Sequence, residues 1–107
     1  MNKYSENRIW GKFEKFCENE NCTVKILFIE PNKEISLQYH HQRDEFWKII
    51  QGKAKVWIDD KIIDAKENDE FFITKKTKHK VRAKSELVKI LEISFGKFDE
   101  KDIIRIK

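Results

Sequence analysis

From Thr23 onward, apolar and polar residues alternate in short runs that are separated by polar turns. Alternation with a period of two residues is typical of β-strands that have one buried face. The pattern predicts strands at Thr23–Glu30, Glu34–His40, Glu45–Gln51, Ala54–Ile58, Ile62–Asp64, Phe71–Thr74, His79–Ala83 and Leu87–Phe95. Only the segment 13–19 allows a helical turn. Many short strands with regular turn signals predict an all-β sandwich or barrel.

The length of 107 residues indicates one domain. We divide it into an N-terminal arm (1–22), a barrel (23–98) and a C-terminal tail (99–107). Hydrophobic residues make up 39% of the chain and include 8 Phe and 3 Trp, which can fill a barrel interior and exclude disorder. A core of this modest size benefits from a bound metal or from dimerisation.

The net charge of +4 favours anionic partners, but the basic residues are mixed with 19 acidic ones. We therefore expect a small anionic molecule and no nucleic acid. The densest basic run, 75–80, is either a solvated loop or a positive rim beside a phosphate site. Cys17 and Cys22 do not form a C-x-x-C motif and are interpreted as reduced thiols. Since no apolar run is long enough to span a bilayer, we expect a cytoplasmic protein without a membrane partner.

Candidate metal ligands lie on three of the predicted strands. Gln38 and His40 are two residues apart and therefore point to the same side of one strand, which Ser36 should share. Glu45 opens the next strand, and His79 opens a later one. Each residue alone has a simpler interpretation: a lone histidine is more often a surface or core residue, and Glu45 could pair with a lysine. A barrel can bring them together at its mouth, where they would suit a divalent Zn, Mn, Fe, Co or Ni ion.

The spacing of these residues resembles the two motifs of the cupins. The first motif is G-x5-H-x-H-x3–4-E-x6-G, in which Asn32 stands for the first Gly, Gln38 for the first His, and Gly52 closes the strand. The second is G-x5-P-x-G-x2-H-x3-N, in which Asn68, Thr74 and Ala83 stand for Gly, Pro and Asn, and His79 is in place. The resemblance implies a cupin fold, a jelly-roll barrel also called a double-stranded β-helix.

A closer resemblance covers the chain from Arg8 to Arg105. Residues 36–47, S-L-Q-Y-H-H-Q-R-D-E-F-W, resemble the S-L-Q-x-H-H-H-R-x-E-H-W signature of type II phosphomannose isomerases. This cupin domain is usually fused behind a mannose-1-phosphate guanylyltransferase. Residues 8–11, 91–96 and 102–105 are similar to the family's R-P-W-G, I-E-V-Q-x-G and D-I-V-R stretches. Gln42 and Phe46 stand where the signature has histidines, and Ser94 stands for its Gln.

The resemblance implies interconversion of mannose 6-phosphate and fructose 6-phosphate through a cis-enediol. It implies one divalent metal ion, zinc first, held by Gln38, His40, Glu45 and His79. Arg43 and Arg105 are candidates for charge stabilisation or phosphate binding, or else surface salt-bridge residues. His41 and Glu92 are candidates for the proton-transfer base, although His41 alternates out of phase with His40 and Glu92 could simply pair with a lysine.

The expected partners are a small phosphorylated sugar and a second copy of the chain, which the stretch 8–11 is free to reach. Two alternatives stay open. One is a non-catalytic sugar-binding cupin, which the substitutions at Gln42 and Phe46 favour. The other is a cupin that acts on another sugar phosphate or on a nucleotide sugar.

Overall fold

The computed structural model describes residue 1 and residues 3–106, and its regular elements are all β-strands. They are β1 (Tyr4–Arg8), β2 (Gly11–Lys15), β3 (Cys22–Ile29), β4 (Glu34–Tyr39), β5 (Arg43–Gln51), β6 (Ala54–Ile58), β7 (Lys61–Ala65), β8 (Glu70–Ile73), β9 (His79–Ala83), β10 (Val88–Gly96) and β11 (Ile104–Arg105). The all-β prediction is therefore confirmed. No helix in this part of the chain is long and apolar enough to cross a membrane.

Two antiparallel sheets pack around one core. The four-stranded sheet has the order β3-β10-β5-β8, and the five-stranded sheet has the order β11-β4-β9-β6-β7. Apolar side chains from both sheets fill the space between them, with Trp47, Ile49 and Ile90 on one side and Val56 and Val81 on the other. All of these are almost completely buried, so the two inner faces form the barrel interior.

Three strands change from apolar to polar along their inward-facing side. On β5 the order from the core outward is Ile49, Trp47, Glu45 and Arg43; on β10 it is Val88, Ile90, Glu92 and Ser94; on β9 it is Ala83, Val81 and His79. All of these residues are buried. Since the polar ends lie on neighbouring or facing strands, they meet at one end of the barrel, which we call the mouth.

A β-bulge in β4 corrects one sequence prediction. Ile35 pairs with Val81 and Gln38 pairs with His79, so three residues of β4 are matched by two of β9. Directly paired residues share a face, and both Ile35 and Gln38 therefore face inward with their partners. Ser36 is exposed and does not share the face of Gln38, because the extra residue interrupts the alternation of faces along β4.

The turns explain why the cupin spacing holds although two of its glycines are missing. Asn32 and Asn68 adopt φ values of 62° and 75°, the left-handed region in which Asn is the best tolerated residue after Gly. Gly52 has φ of 87°, and a Cβ there would lie 2.5 Å from the carbonyl oxygen of Leu87. Asparagine can thus replace glycine at the first two turns, but no side chain fits at Gly52.

The N-terminal arm is a β1–β2 hairpin, and the helical turn that the sequence allowed at 13–19 is absent there. Phe16, just after β2, packs on Phe46 of the four-stranded sheet with 5.1 Å between ring centroids. The hairpin tip carries Ile9 and Trp10, which are 106% and 70% exposed. At the other terminus, β11 pairs with β4 and joins the five-stranded sheet.

Candidate metal centre

Three ligand-type side chains converge at the barrel mouth. The ligating atoms of His40, Glu45 and His79 all lie within 4.8 Å of one another. The Nε2 atoms of His40 and His79 are each 3.5 Å from a different oxygen of the Glu45 carboxylate. All three side chains are 1–2% exposed. Two imidazoles and one carboxylate at these distances form a partial coordination shell for a single ion.

Hydrogen bonds to main-chain carbonyls determine which nitrogen of each imidazole faces this group. The Nδ1 of His40 is 2.7 Å from the carbonyl oxygen of Asp102, and the Nδ1 of His79 is 2.8 Å from that of Thr77. A carbonyl oxygen can only accept, so Nδ1 carries the hydrogen in both rings. Both Nε2 atoms therefore turn a lone pair towards Glu45, as metal-binding histidines do.

Glu45 Oε1 and His79 Nε2, which face each other in this group, have no hydrogen-bond partner among the described residues. Among the described residues, the buried side-chain polar atoms in this condition are Glu45 Oε1, His79 Nε2 and Trp47 Nε1. The first two are both acceptors and lie 3.5 Å apart, so they repel each other without a donor or cation between them. A divalent cation satisfies both lone pairs at once. The residues present therefore fit the metal that the sequence predicts.

Gln38 and Trp47 complete the surroundings of His79. Gln38 is the cross-strand partner of His79 and lies half-buried on the same face of the sheet, as a fourth ligand would require. The Trp47 ring meets the His79 ring edge-on, with centroids 5.5 Å apart. Trp47 thus separates the polar mouth from the apolar core.

Burial keeps both histidines neutral, which ligation requires. It lowers the pKa of His79 from its usual 6.5 to about 4, and it also lowers the pKa of His40. Burial is the largest cause in both cases, because an uncompensated charge is unfavourable away from water. At neutral pH the two rings are therefore uncharged donors of an electron pair.

Arg43 points into the same cluster. It is 4% exposed and donates from Nε to Glu45 Oε2 over 3.1 Å, from Nη2 to His40 Nε2 over 3.3 Å, and from Nη1 to the carbonyl of Asp99 over 3.2 Å. The ring of Phe98 packs on its guanidinium at 4.6 Å. This buried cation balances the charge of Glu45.

Glu92 adds a second carboxyl group. It is 5% exposed, and the hydroxyl of Ser94 donates to its Oε1 over 3.4 Å. Burial, followed by the neighbouring carboxylate of Glu45, raises the pKa of Glu92 to about 8. Near neutral pH the carboxyl is mostly protonated, whereas a free glutamate would be ionised.

The remaining predicted site residues lie at the rim. Arg105 on β11 is the cross-strand partner of Gln38, so it shares the inward-facing side of β4, and it is exposed. The ring of His41 packs edge-on against Tyr39 at 5.3 Å and is exposed. Of the two candidates for the proton-transfer base, Glu92 lies in the buried cluster and His41 lies on the outer side of the turn.

The three departures from the isomerase signature differ in position. Phe46 alternates with Glu45 and packs outside the barrel on Phe16. Gln42 is exposed in the turn before β5. Only Ser94 belongs to the buried cluster, opposite Glu45 on the neighbouring strand. The substitutions at 42 and 46 therefore leave the candidate ligands intact.

Comparison with known proteins agrees with this architecture. The family model described as the mannose-6-phosphate isomerase C-terminal domain matches residues 2–107. The chain belongs to this family. It is 32% identical over 94% of its length to mannose-1-phosphate guanylyltransferase 2 of Escherichia coli O157:H7, and 30% identical over 99% to mannose-1-phosphate guanylyltransferase RfbM of Salmonella typhimurium. It spans only 21% and 23% of those proteins, so it corresponds to one part of them.

Solved structures confirm the cupin fold that the motifs predict. Oxalate decarboxylase from Bacillus subtilis superposes with a TM-score of 0.74 at 25% identity, over 81% of this chain and 24% of that one. A second structure of this enzyme, described by its Mn(II) centres, has a TM-score of 0.70 at 26% identity, over 82% of this chain and 25% of that one. A cupin protein from Bacteroides fragilis has a TM-score of 0.64 at 21% identity, over 76% and 74% of the two chains. The family, the cupin barrel and the His-Glu-His cluster together indicate that the mouth of this barrel can hold a metal.

Proposed function

We propose that this protein is a metal-dependent aldose–ketose isomerase that interconverts mannose 6-phosphate and fructose 6-phosphate. The observation that supports this most directly is the convergence of two unprotonated Nε2 atoms on the Glu45 carboxylate, within a family described by this activity. Gln38, His40, Glu45 and His79 would hold one divalent ion, with zinc the best match to two imidazoles and a carboxylate. When bound, such an ion acts as a Lewis acid that polarises the oxygens of the sugar.

Proton transfer is assigned to Glu92. The reaction moves a proton between C1 and C2 of the sugar, so the same group must accept and return it. A carboxyl group can do both, and burial raises the pKa of Glu92, which makes it a stronger base than a free glutamate. Glu92 is buried beside Glu45, whereas the exposed ring of His41 packs against Tyr39. Burial also keeps bulk water away from the sugar carbon that loses its proton.

The phosphate is assigned to the arginines of the mouth. Arg43 lies inside the cluster, held by Glu45 and Asp99, and is positioned to stabilise negative charge that develops on the sugar oxygens. Arg105 is exposed at the rim, in the strand next to Gln38, where a phosphate on the far end of the sugar can reach it. Guanidinium groups bind phosphate well because they offer several N–H donors in one plane.

A coupled assay of zinc-loaded protein with mannose 6-phosphate tests the proposal. Wild-type protein should form fructose 6-phosphate, and Arg105→Ala should raise KM for mannose 6-phosphate about tenfold or more by removing a charge-assisted hydrogen bond. Unphosphorylated mannose should be a poor substrate for both proteins. Arg82→Ala is the matched control, because Arg82 is an exposed arginine on the outward face of the same sheet, paired with Glu34.

The two alternatives are outcomes of the same assay. Zinc-loaded wild-type protein that binds mannose 6-phosphate without converting it would support the sugar-binding cupin. Conversion of a different sugar phosphate or of a nucleotide sugar, with mannose 6-phosphate left unchanged, would support the other enzyme. Either result contradicts the proposed reaction.

A further inference from the structure

The segment after β10, residues 98–106, closes one side of the mouth, and we call it the C-terminal strap. It is attached to β4 at two points: β11 pairs with Gln38 and Tyr39, and the N–H of Ile106 donates to the carbonyl of Leu37 over 2.9 Å. Between Phe98 and β11, a turn is closed by the N–H of Asp102, which donates to the carbonyl of Asp99 over 2.9 Å. The strap is thus fixed to β4 on the C-terminal side of this turn.

Asp102 contacts the candidate ligand His40 and the turn that follows it in two different ways. Its main-chain carbonyl accepts the Nδ1 hydrogen of His40 over 2.7 Å. Its side-chain carboxylate accepts the main-chain N–H groups of His41 and Gln42, over 3.0 and 2.9 Å. The three bonds form a clamp around the turn that joins β4 to β5, and this turn carries His40 at one end and Arg43 at the other.

The main-chain carbonyl and the side-chain carboxylate of Asp102 have different roles. Together with the Nη2–H of Arg43, which donates to Nε2, the carbonyl favours hydrogen on Nδ1 of His40 and so directs the Nε2 lone pair to the cluster. A main-chain carbonyl in a short turn has no rigid support of its own, and here the carboxylate bonds hold it in place against the ring. Asp102 does not itself reach the ligating atoms of His40, Glu45 and His79.

We propose that Asp102 is a positioning residue for the metal centre, which acts through His40 by clamping the strap onto the β4–β5 turn. The inference rests on the metal site of the proposed function but not on the identity of the sugar or on turnover. It makes the strap part of the site, although its side chains supply no ligand. The effect of a substitution at Asp102 should therefore be specific to His40.

His79 provides an internal control within the same molecule. Its Nδ1 hydrogen is accepted by the carbonyl of Thr77, on the other side of the cluster and away from the strap. If Asp102 acts through the clamp, its loss should release the tautomer of His40 and leave that of His79 unchanged. General loosening of the barrel would disturb both rings.

Long-range ¹H–¹⁵N NMR of the histidine rings in metal-free protein tests the proposal. In wild-type protein at pH 8, both rings should carry hydrogen on Nδ1. In Asp102→Ala, His40 should shift towards the Nε2–H form while His79 keeps its signal. Asp102→Asn retains one acceptor and should give an intermediate result, and it serves if the alanine variant does not fold. Glu100→Ala, in the same turn and paired with Lys25 at the surface, should match wild type.

Zinc affinity, measured by competition with a chromophoric chelator, supplies the second readout. Removing a group that orients a ligating histidine lowers metal affinity about 10-fold or more, and Asp102→Ala should show this loss while Glu100→Ala does not. Wild-type tautomer and wild-type affinity in Asp102→Ala would overturn the proposal, as would equal disturbance of His40 and His79. Absence of isomerase activity in wild-type protein with an intact tautomer effect would refute the proposed reaction and leave the role of Asp102 standing.

Discussion

The buried carboxyl of Glu92 predicts that the metal-free protein loses stability as the pH rises, and that Glu92→Gln abolishes this loss. Glutamine has nearly the same shape and stays neutral at every pH. In the folded chain the pKa of Glu92 is raised from 4.5 to about 8, mainly by burial. The folded state therefore binds a proton that the unfolded state releases between these two values.

The sign and size of the effect follow from this difference. The stability that Glu92 contributes is fully present below pH 4.5, declines as the pH rises and reaches its minimum above pH 8. Each pKa unit corresponds to about 1.4 kcal/mol, so the loss accumulated from pH 4.5 to pH 7 is about 3 kcal/mol. The neutral glutamine loses nothing over this range. The stability difference between Glu92→Gln and wild type should therefore grow in favour of the variant by about 3 kcal/mol.

Urea unfolding of chelator-treated protein at pH 5, 6, 7 and 8 measures this difference directly. Glu86→Gln, at an exposed position, controls for the removal of one acidic residue from the chain. A difference between Glu92→Gln and wild type that stays constant from pH 5 to pH 8 would refute the reasoning, because it would mean that Glu92 titrates alike in both states. A difference that shrinks as the pH rises would contradict its sign.

Two further predictions concern zinc binding and dimerisation. Zinc at 100 times its dissociation constant should stabilise wild-type protein by about 2.7 kcal/mol in thermal or urea unfolding, and His40→Ala should lose this gain; equal stabilisation of both proteins would place the ion elsewhere. We also propose that the chain forms a homodimer, because Ile9 and Trp10 at the hairpin tip and Ile26 and Phe28 on β3 are exposed apolar groups that a second copy can cover. Light scattering at micromolar concentration should give twice the chain mass, and Trp10→Ser should shift it towards the monomer; a wild-type monomer would contradict the proposal.

The strands of the barrel could be predicted from the sequence because each has one buried face. β6 and β9 begin and end where the alternation predicts, at Ala54–Ile58 and His79–Ala83. The hairpin could not be predicted, because β1 contains mostly polar, exposed residues and its pairing with β2 leaves no apolar pattern. β11 has only two residues, and its partner β4 lies more than 60 residues earlier in the chain, so local sequence carries no sign of it.

The candidate ligands could be predicted for a related reason. His40 and Glu45 are five residues apart, and their spacing across one turn is a local property of the sequence. The role of Asp102 could not be predicted, because its bond to His40 is made by the main-chain carbonyl, a group that every residue type has. Its carboxylate contacts main-chain N–H groups that likewise have no sequence signature. Only the fold shows that residues 60 positions apart form one clamp.

The ionisable groups with displaced pKa values inside the mouth share one property. Burial lowers the pKa of His40 and His79 and raises that of Glu92, and each shift favours the neutral form. The ion pair of Arg43 and Glu45 sums to zero, so the cluster folds as an interior with almost no net charge. Such a cluster is tolerable inside a small barrel only because it is neutral. In the proposed function, a bound divalent ion would add net positive charge inside this neutral cluster, while the exposed Arg105 supplies the charge at the rim.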